Sequence, residues 1–310
     1  MNTAASTIQA KTARKALWKY RYLYLLVIPG TIYFIVYRYI PLLGSVIAFQ
    51  DYNPFQGFLR SKWVGLEHFY KIFDNRDVIR VLFNTLQLSL LQIAFAFPAP
   101  ILLALMLNEV RSSLAKRWIQ SIVYLPHFLS WVVIAGIATV FLRSEGFVNQ
   151  LLHSAFGTEP IYFLQTPMFF KPLLILEVIW KETGWGTVVF LAALAGVNAE
   201  LYEAAVVDGA GRLRRIWHIT LPAIRSTVVI LLILRLGSVM DSGFEQVFLM
   251  LNPYVMEVGN VLDTYVYYKG ILQADFSFGT AVGLFKSVVG LILVVLANRL
   301  AKRFGEEGIY

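Results

Sequence analysis

The chain has 310 residues, is 58% hydrophobic and 15% charged, and carries a net charge of +8. Soluble domains are about 45–50% apolar and about 25% charged, so a single globule of this length cannot hide the excess and lipid is the expected solvent. The basic residues fall between apolar runs rather than on one face, which fits cytoplasmic retention of Lys and Arg and not a nucleic-acid partner, and the absence of cysteine excludes a disulfide frame and thiolate metal sites.

At the N-terminus Lys11, Arg14, Lys15, Lys19 and Arg21 precede an apolar stretch that runs through Tyr33, Phe34 and Tyr37 with no small-residue cleavage site. This pattern predicts an uncleaved first membrane helix with its N-terminus inside. Trp18, Tyr20, Tyr22 and Tyr24 flank its inner end as an aromatic belt. About 20 apolar residues span a bilayer as a helix, and six segments qualify: roughly 22–48, 80–107, 119–142, 172–195, 224–247 and 278–300. Arg38 and Pro41 predict a kink or an end near the outer side of the first.

Basic clusters follow the even-numbered spans: Arg111, Lys116 and Arg117, then Arg212, Arg214 and Arg215, then Arg299, Lys302 and Arg303. The opposite loops, 49–79, 143–171 and 248–277, mix both signs and hold the Asn53-Pro54 and Asn252-Pro253 turn signals. The charge bias therefore predicts an all-α membrane protein with six transmembrane helices and both termini cytoplasmic. Its parts are a basic tail over 1–21, a transmembrane domain over 22–300 and a tail over 301–310. His68, His127, His153 and His218 show no ligand spacing, so no metal site is expected.

Between the fourth and fifth apolar runs lies a polar, basic stretch, 198–222, long enough to fold. Asn198 is placed to cap a helix by accepting from Glu200 or Leu201, with Glu200 and Glu203 in or near its first turn. That helix should run to about Asp208, and Gly209 and Gly211 supply a turn. A second short helix then has Leu213, Ile216 and Trp217 on one apolar face, with Leu221-Pro222 expected to end it. On periodicity alone this helix suits a membrane surface and a protein partner equally. Neither the dinucleotide fingerprint nor a phosphate loop is present.

Glu203-Ala204-Ala205, Asp208-Gly209-Ala210 and Ile219-Thr220-Leu221-Pro222 resemble the EAA, DGA and ITLP elements of permease subunits of bacterial binding-protein-dependent ABC importers, at that family's spacing. Ile216 stands where the family usually has Phe, and Arg225-Ser226 where a further proline is common. Residues 243–248, 263–267 and 281–287 are similar to the LplB-type carbohydrate permeases, a subgroup serving complex oligosaccharides. The resemblance implies the type I importer permease fold. It implies a second homologous permease subunit, two ATPase subunits and an extracytoplasmic solute-binding lipoprotein as partners. ATP and Mg would sit on the ATPases and no cofactor on this chain. The helix with Leu213, Ile216 and Trp217 would be the coupling helix. No catalytic residues are expected.

Glu177, Lys181 and Glu182 fall within the fourth apolar run and Arg235, Asp241 and Glu245 within the fifth. A charge at the bilayer centre costs about 2.5–3.5 kcal/mol on insertion scales, so these should face protein or water. Glu177 and Lys181 stand at i, i+4 in the order that favours pairing. Two readings follow. Such pairs lock the fourth helix to the fifth, or Trp180, Lys181, Glu182, Trp185, Arg235, Asp241 and Glu245 line a sugar pathway of stacking indoles and hydrogen-bonding charges. The same residues suit an ion-coupled secondary sugar carrier, with Glu182 or Asp241 as the coupling carboxylate.

Overall fold

The computed structural model describes residues 18–303 together with 305 and 308; Lys11, Arg14 and Lys15 and most of the C-terminal tail lie outside the described residues. Among the described residues the regular structure is helical apart from a two-residue antiparallel pairing of Gln50–Asp51 (β1) with Lys62–Trp63 (β2). Four helices are long and apolar enough to cross a membrane, or up to six if two bent pairs each count as one span.

The first, α1 (Arg21–Phe49), has no buried residue before Ala48 and meets the rest of the chain through its last turns. It does not end at Pro41. Its helix widens into a π turn at Ile35–Tyr39, two residues before that proline. The same device recurs. A π turn at Gln92–Ala96 precedes Pro98, and one at Ile216–Thr220 precedes Pro222. Proline lacks the N–H that its i−4 carbonyl needs, and its ring crowds that carbonyl. An i→i+5 turn just upstream opens the required space and lets the helix continue.

After the hairpin, α2 (Glu67–Asp74) leads to α3 (Arg76–Asn108), capped by Asn75, whose Oδ1 accepts from Asp77 N at 2.9 Å. On α2 the Lys71 ammonium, 2.8 Å from Glu67, holds that carboxyl below its ordinary range.

The expected third span is broken. Helix α4 (Ser113–Tyr124) gives way to a 3-10 turn at Leu125–Phe128, and α5 (Trp131–Leu142) restarts with Ser130 as its cap, followed by α6 (Phe147–Phe156). Pro126 lies where the chain would have to remain α-helical, and here no π turn precedes it. Next, α7 (Pro167–Ala195) runs 29 residues, about 44 Å at 1.5 Å per residue. It turns by 73° into α8 (Ala199–Val207).

Helix α9 (Arg212–Ala223) ends one residue past Leu221-Pro222, where the sequence places its end, and a 61° bend follows into α10 (Arg225–Gly237). The expected fifth span is also discontinuous. Residues 238–243 leave the helix, Gly243 adopts φ +83°, and α11 (Phe244–Met250) starts anew. Helix α12 (Leu262–Val266) passes through a π turn toward α13 (Phe276–Arg303), which matches the sixth expected span.

Three buried clusters stack along the molecule. Ile72, Val81, Leu262, Phe278 and Val282 join α2, α3, α12 and α13. Leu88, Phe170, Leu174, Val247 and Val261 hold α7 and α11 to α3. At the end nearest α8 and α9, Ala104, Leu105, Phe190, Leu194 and Ile224 form the third, with Ile216 and Leu221 packed against it.

Candidate coupling loop and pathway residues

Asn198 Oδ1 accepts from Glu200 N at 3.0 Å, so the predicted cap forms. At the far end of α8, Gly209 N donates to Val206 O at 3.0 Å and Ala210 N to Ala205 O at 2.8 Å. Those two bonds are the Schellman pair, and they place Gly209 at the left-handed position with φ +73°. The glycine of the Asp208-Gly209-Ala210 element is thus required by the end of a helix. Ala205 supplies the carbonyl that this motif closes on, and Tyr202 Oη meets the buried Thr220 Oγ1 at 3.0 Å, tying α8 to α9. Arg212 reaches Glu109, after α3, at 4.0 Å.

The apolar face of α9 divides. Leu213 is 83% exposed and Trp217 70% exposed, while Ile216, Leu221 and the following Ile224 turn into the third cluster. Glu203, Ala204 and Asp208 are exposed on α8 and its end, near the outward Val207. One short segment therefore shows a wide apolar surface outward and is rooted in the core between α3 and α7.

The charges at membrane depth have unexpected partners. Glu177 and Lys181 do not pair. Gln246 Nε2 donates to Glu177 Oε2 at 2.7 Å and to Leu174 O at 2.8 Å, fastening α11 to α7. Lys181, 7% exposed, donates to the carbonyls of His127 at 2.7 Å and Leu129 at 2.6 Å. Those carbonyls belong to the break between α4 and α5. His127 contacts Glu182 Oε2 at 2.9 Å and stacks on Trp185, with ring centroids 4.7 Å apart and planes within 3°. A Cβ on Gly184 would collide with the Val123 carbonyl, so α7 touches the end of α4 through bare backbone. Lys181, Glu182 and Trp185 thus clamp the break; Trp180 and Trp185 remain about half exposed.

Arg235 donates to Gln92 Oε1 on α3. Glu245 is exposed at the start of α11. Asp241 lies 3.4 Å from Lys286 on α13, which also donates to Asp263 on α12. Sequence reasoning assigned no site role to Lys286, Asp263, His127, Gln92 or Gln246. A lysine inside an otherwise uncharged 276–298 stretch was a visible signal for the first. His127 and the glutamines gave none, since their partners are distant in sequence.

A family model described as a binding-protein-dependent transport system inner membrane component matches residues 96–306. The polygalacturonan/rhamnogalacturonan transport system permease protein YteP of Bacillus subtilis (strain 168) is 55% identical, covering 94% of this chain and 90% of that protein. Protein LplB of the same organism is 54% identical, covering 95% and 93%. A chain in the crystal structure of a bacterial alginate ABC transporter in complex with an alginate pentasaccharide-bound periplasmic protein superposes with a TM-score of 0.88. It is 40% identical and covers 95% of this chain and 99% of its own. Such a match over nearly the whole length fixes the type I ABC permease fold as well as the lineage. The chain belongs to the family of binding-protein-dependent transport system inner membrane components, transport subunits of the cytoplasmic membrane.

Proposed function

We propose that this chain is one of two permease subunits of an ATP-driven importer that moves acidic oligosaccharides inward by alternating access. The observation that carries the reading is the split face of α9. Leu213 and Trp217 offer an apolar knob to a partner, and Ile216 and Leu221 root that knob in the core between α3 and α7. A push on the knob moves two spans rather than a free loop. The partners are a second permease, two ATPases that carry ATP and Mg, and the solute-binding lipoprotein. ATP binding need only favour the outward-facing state differentially to drive the cycle. Membership in a binding-protein-dependent family leaves the ion-coupled carrier without support.

Acidic saccharides are favoured because the similar proteins are named for polygalacturonan, rhamnogalacturonan and alginate. The broken helices supply the setting, since discontinuous transmembrane helices build substrate sites at membrane depth. Six spans, counting each bent or broken pair once, put both termini in the cytoplasm, with 22–300 as the transmembrane domain between tails at 1–21 and 301–310. The basic clusters then all fall inside.

The test is Trp217→Asp in the reconstituted complex with binding protein and ATPases. The variant is expected to insert and assemble but to lose substrate-stimulated ATP hydrolysis. Full stimulation would remove the coupling assignment.

A further inference from the structure

Asp241, in the break between α10 and α11, joins a lysine and a carboxylate that already pair across α12 and α13. Lys286 lies in the middle third of α13 and holds two carboxylates at once, Asp263 in close contact and Asp241 at 3.4 Å. The two are unequal. Asp263 has 19% of its side chain exposed and Asp241 63%, with Lys286 at 22%. One buried carboxylate suffices to neutralise a lysine at this depth. The second, loose and wet, contributes little, because exposed pairs of this kind are worth about 0–1 kcal/mol.

Beside the cluster is a cavity of about 290 Å³ between α10 and α13, lined by Ser238, Asp241, Lys286 and Ser287 among others. That is near the lower end of small-molecule sites. Polar atoms here also lack partners. Ser242 is fully buried and its hydroxyl has no hydrogen bond, and neither does Asp263 Oδ2. One turn before the break, Arg235 is held by the amide of Gln92. The two cations and two carboxylates balance, so a further anion is accepted most easily by exchange.

We propose that Lys286 recognises the carboxylate of an acidic saccharide in this subunit, with Asp241 as a placeholder that the saccharide displaces. Lys286 then keeps two carboxylates before and after exchange, and the released Asp241 side chain is already mostly in water. The sugar ring takes the cavity, where Ser238 and Ser287 face its hydroxyls. The inference rests on the proposed import of acidic oligosaccharides.

The experiment measures uptake of trigalacturonate into proteoliposomes holding the full complex, at saturating binding protein. Lys286→Gln is expected to lower the rate about tenfold or more, the loss of one charge-assisted hydrogen bond. Lys286→Arg should restore most of it. Asp241→Asn removes the competitor and should raise the rate above wild type. If Lys286 only locks α13 to its neighbours, both losses of charge slow transport alike. Equal losses in the two variants, or an unchanged rate in Lys286→Gln, overturn the proposal. Should Lys286→Gln fail to assemble, Asp241→Asn decides: a faster rate supports the exchange and a slower or equal one overturns it. A wild-type complex that takes up neutral maltotriose and not trigalacturonate would instead sink the reading of the substrate.

Discussion

Lys181 replaces two backbone donors. Between α4 and α5 the carbonyls of His127 and Leu129 have left the helical ladder, and in lipid no water is at hand to receive them. A buried ammonium with three N–H groups meets both, and the Trp131 ring lies 5.4 Å from it as a cation–π neighbour. Lys181→Met therefore leaves two orphaned carbonyls, each costing about 1–3 kcal/mol. The expected outcome is a clear loss of melting temperature and yield of the detergent-solubilised complex, with near-normal transport per folded transporter. A stable variant that no longer transports would make Lys181 a substrate ligand. The presence of a charge here was legible in the sequence, but its partner was not. Glu177 at i−4 is the obvious candidate on a helix, and it is claimed instead by Gln246, 69 residues away. Pairing by spacing fails where a broken neighbouring helix offers stronger acceptors.

At the scale of elements, the chain handles its helical prolines in more than one way. Pro41 and Pro98 follow π turns and the helix passes through; Pro222 follows one and the helix ends a residue later; Pro126 follows none and the helix breaks, whereas Pro29 and Pro172 stand inside α1 and α7 with no π turn before them. Apolar composition picks out runs by averaging over about 20 residues. For the same reason it could not register the six-residue gap at 238–243, whose Ser238, Asp241, Ser242 and Gly243 are poor helix formers set among strong ones. The loop at 198–222 was better legible, because its cap, glycine turn and short helix are each decided within a few residues. Its Schellman geometry makes a specific prediction. Gly209→Ala puts a Cβ at φ +73°, a cost of about 1 kcal/mol or more. That strain should loosen α8 from α9. Substrate-stimulated ATP hydrolysis should fall several-fold while basal hydrolysis and expression persist. Unaltered stimulation would show that the turn only ends a helix and does not hold the coupling surface in place.

At the scale of the molecule, the three core clusters form a column along α3, from Val81 through Leu88 to Leu105, toward the 198–222 loop. The direction of that column in the membrane follows from charge. The positive-inside rule would put the basic clusters after α3, around α9 and at the end of α13 in the cytoplasm, and the β1–β2 hairpin and the 157–166 segment outside. The chain has no cysteine, so single cysteines report their own side without background. Leu59, fully exposed beside the hairpin, Glu159 and Tyr254 are suitable outer positions, and Arg111 and Lys302 suitable inner ones. Ser61, though in the same loop, is unsuitable because it is buried and hydrogen-bonded to Gly57 O. Leu59→Cys, Glu159→Cys and Tyr254→Cys should react with a membrane-impermeant maleimide in right-side-out spheroplasts. Arg111→Cys and Lys302→Cys should react only after permeabilisation. This pattern requires an odd number of crossings between 59 and 111, between 111 and 159, and between 254 and 302, and an even number between 159 and 254. Six spans satisfy all four only if Trp131–Phe156 and the two bent pairs, α7 with α8 and α9 with α10, each cross once. Reaction of Glu159→Cys only after permeabilisation would instead make the broken third run a re-entrant loop and would reverse the side assigned to everything between it and the next crossing.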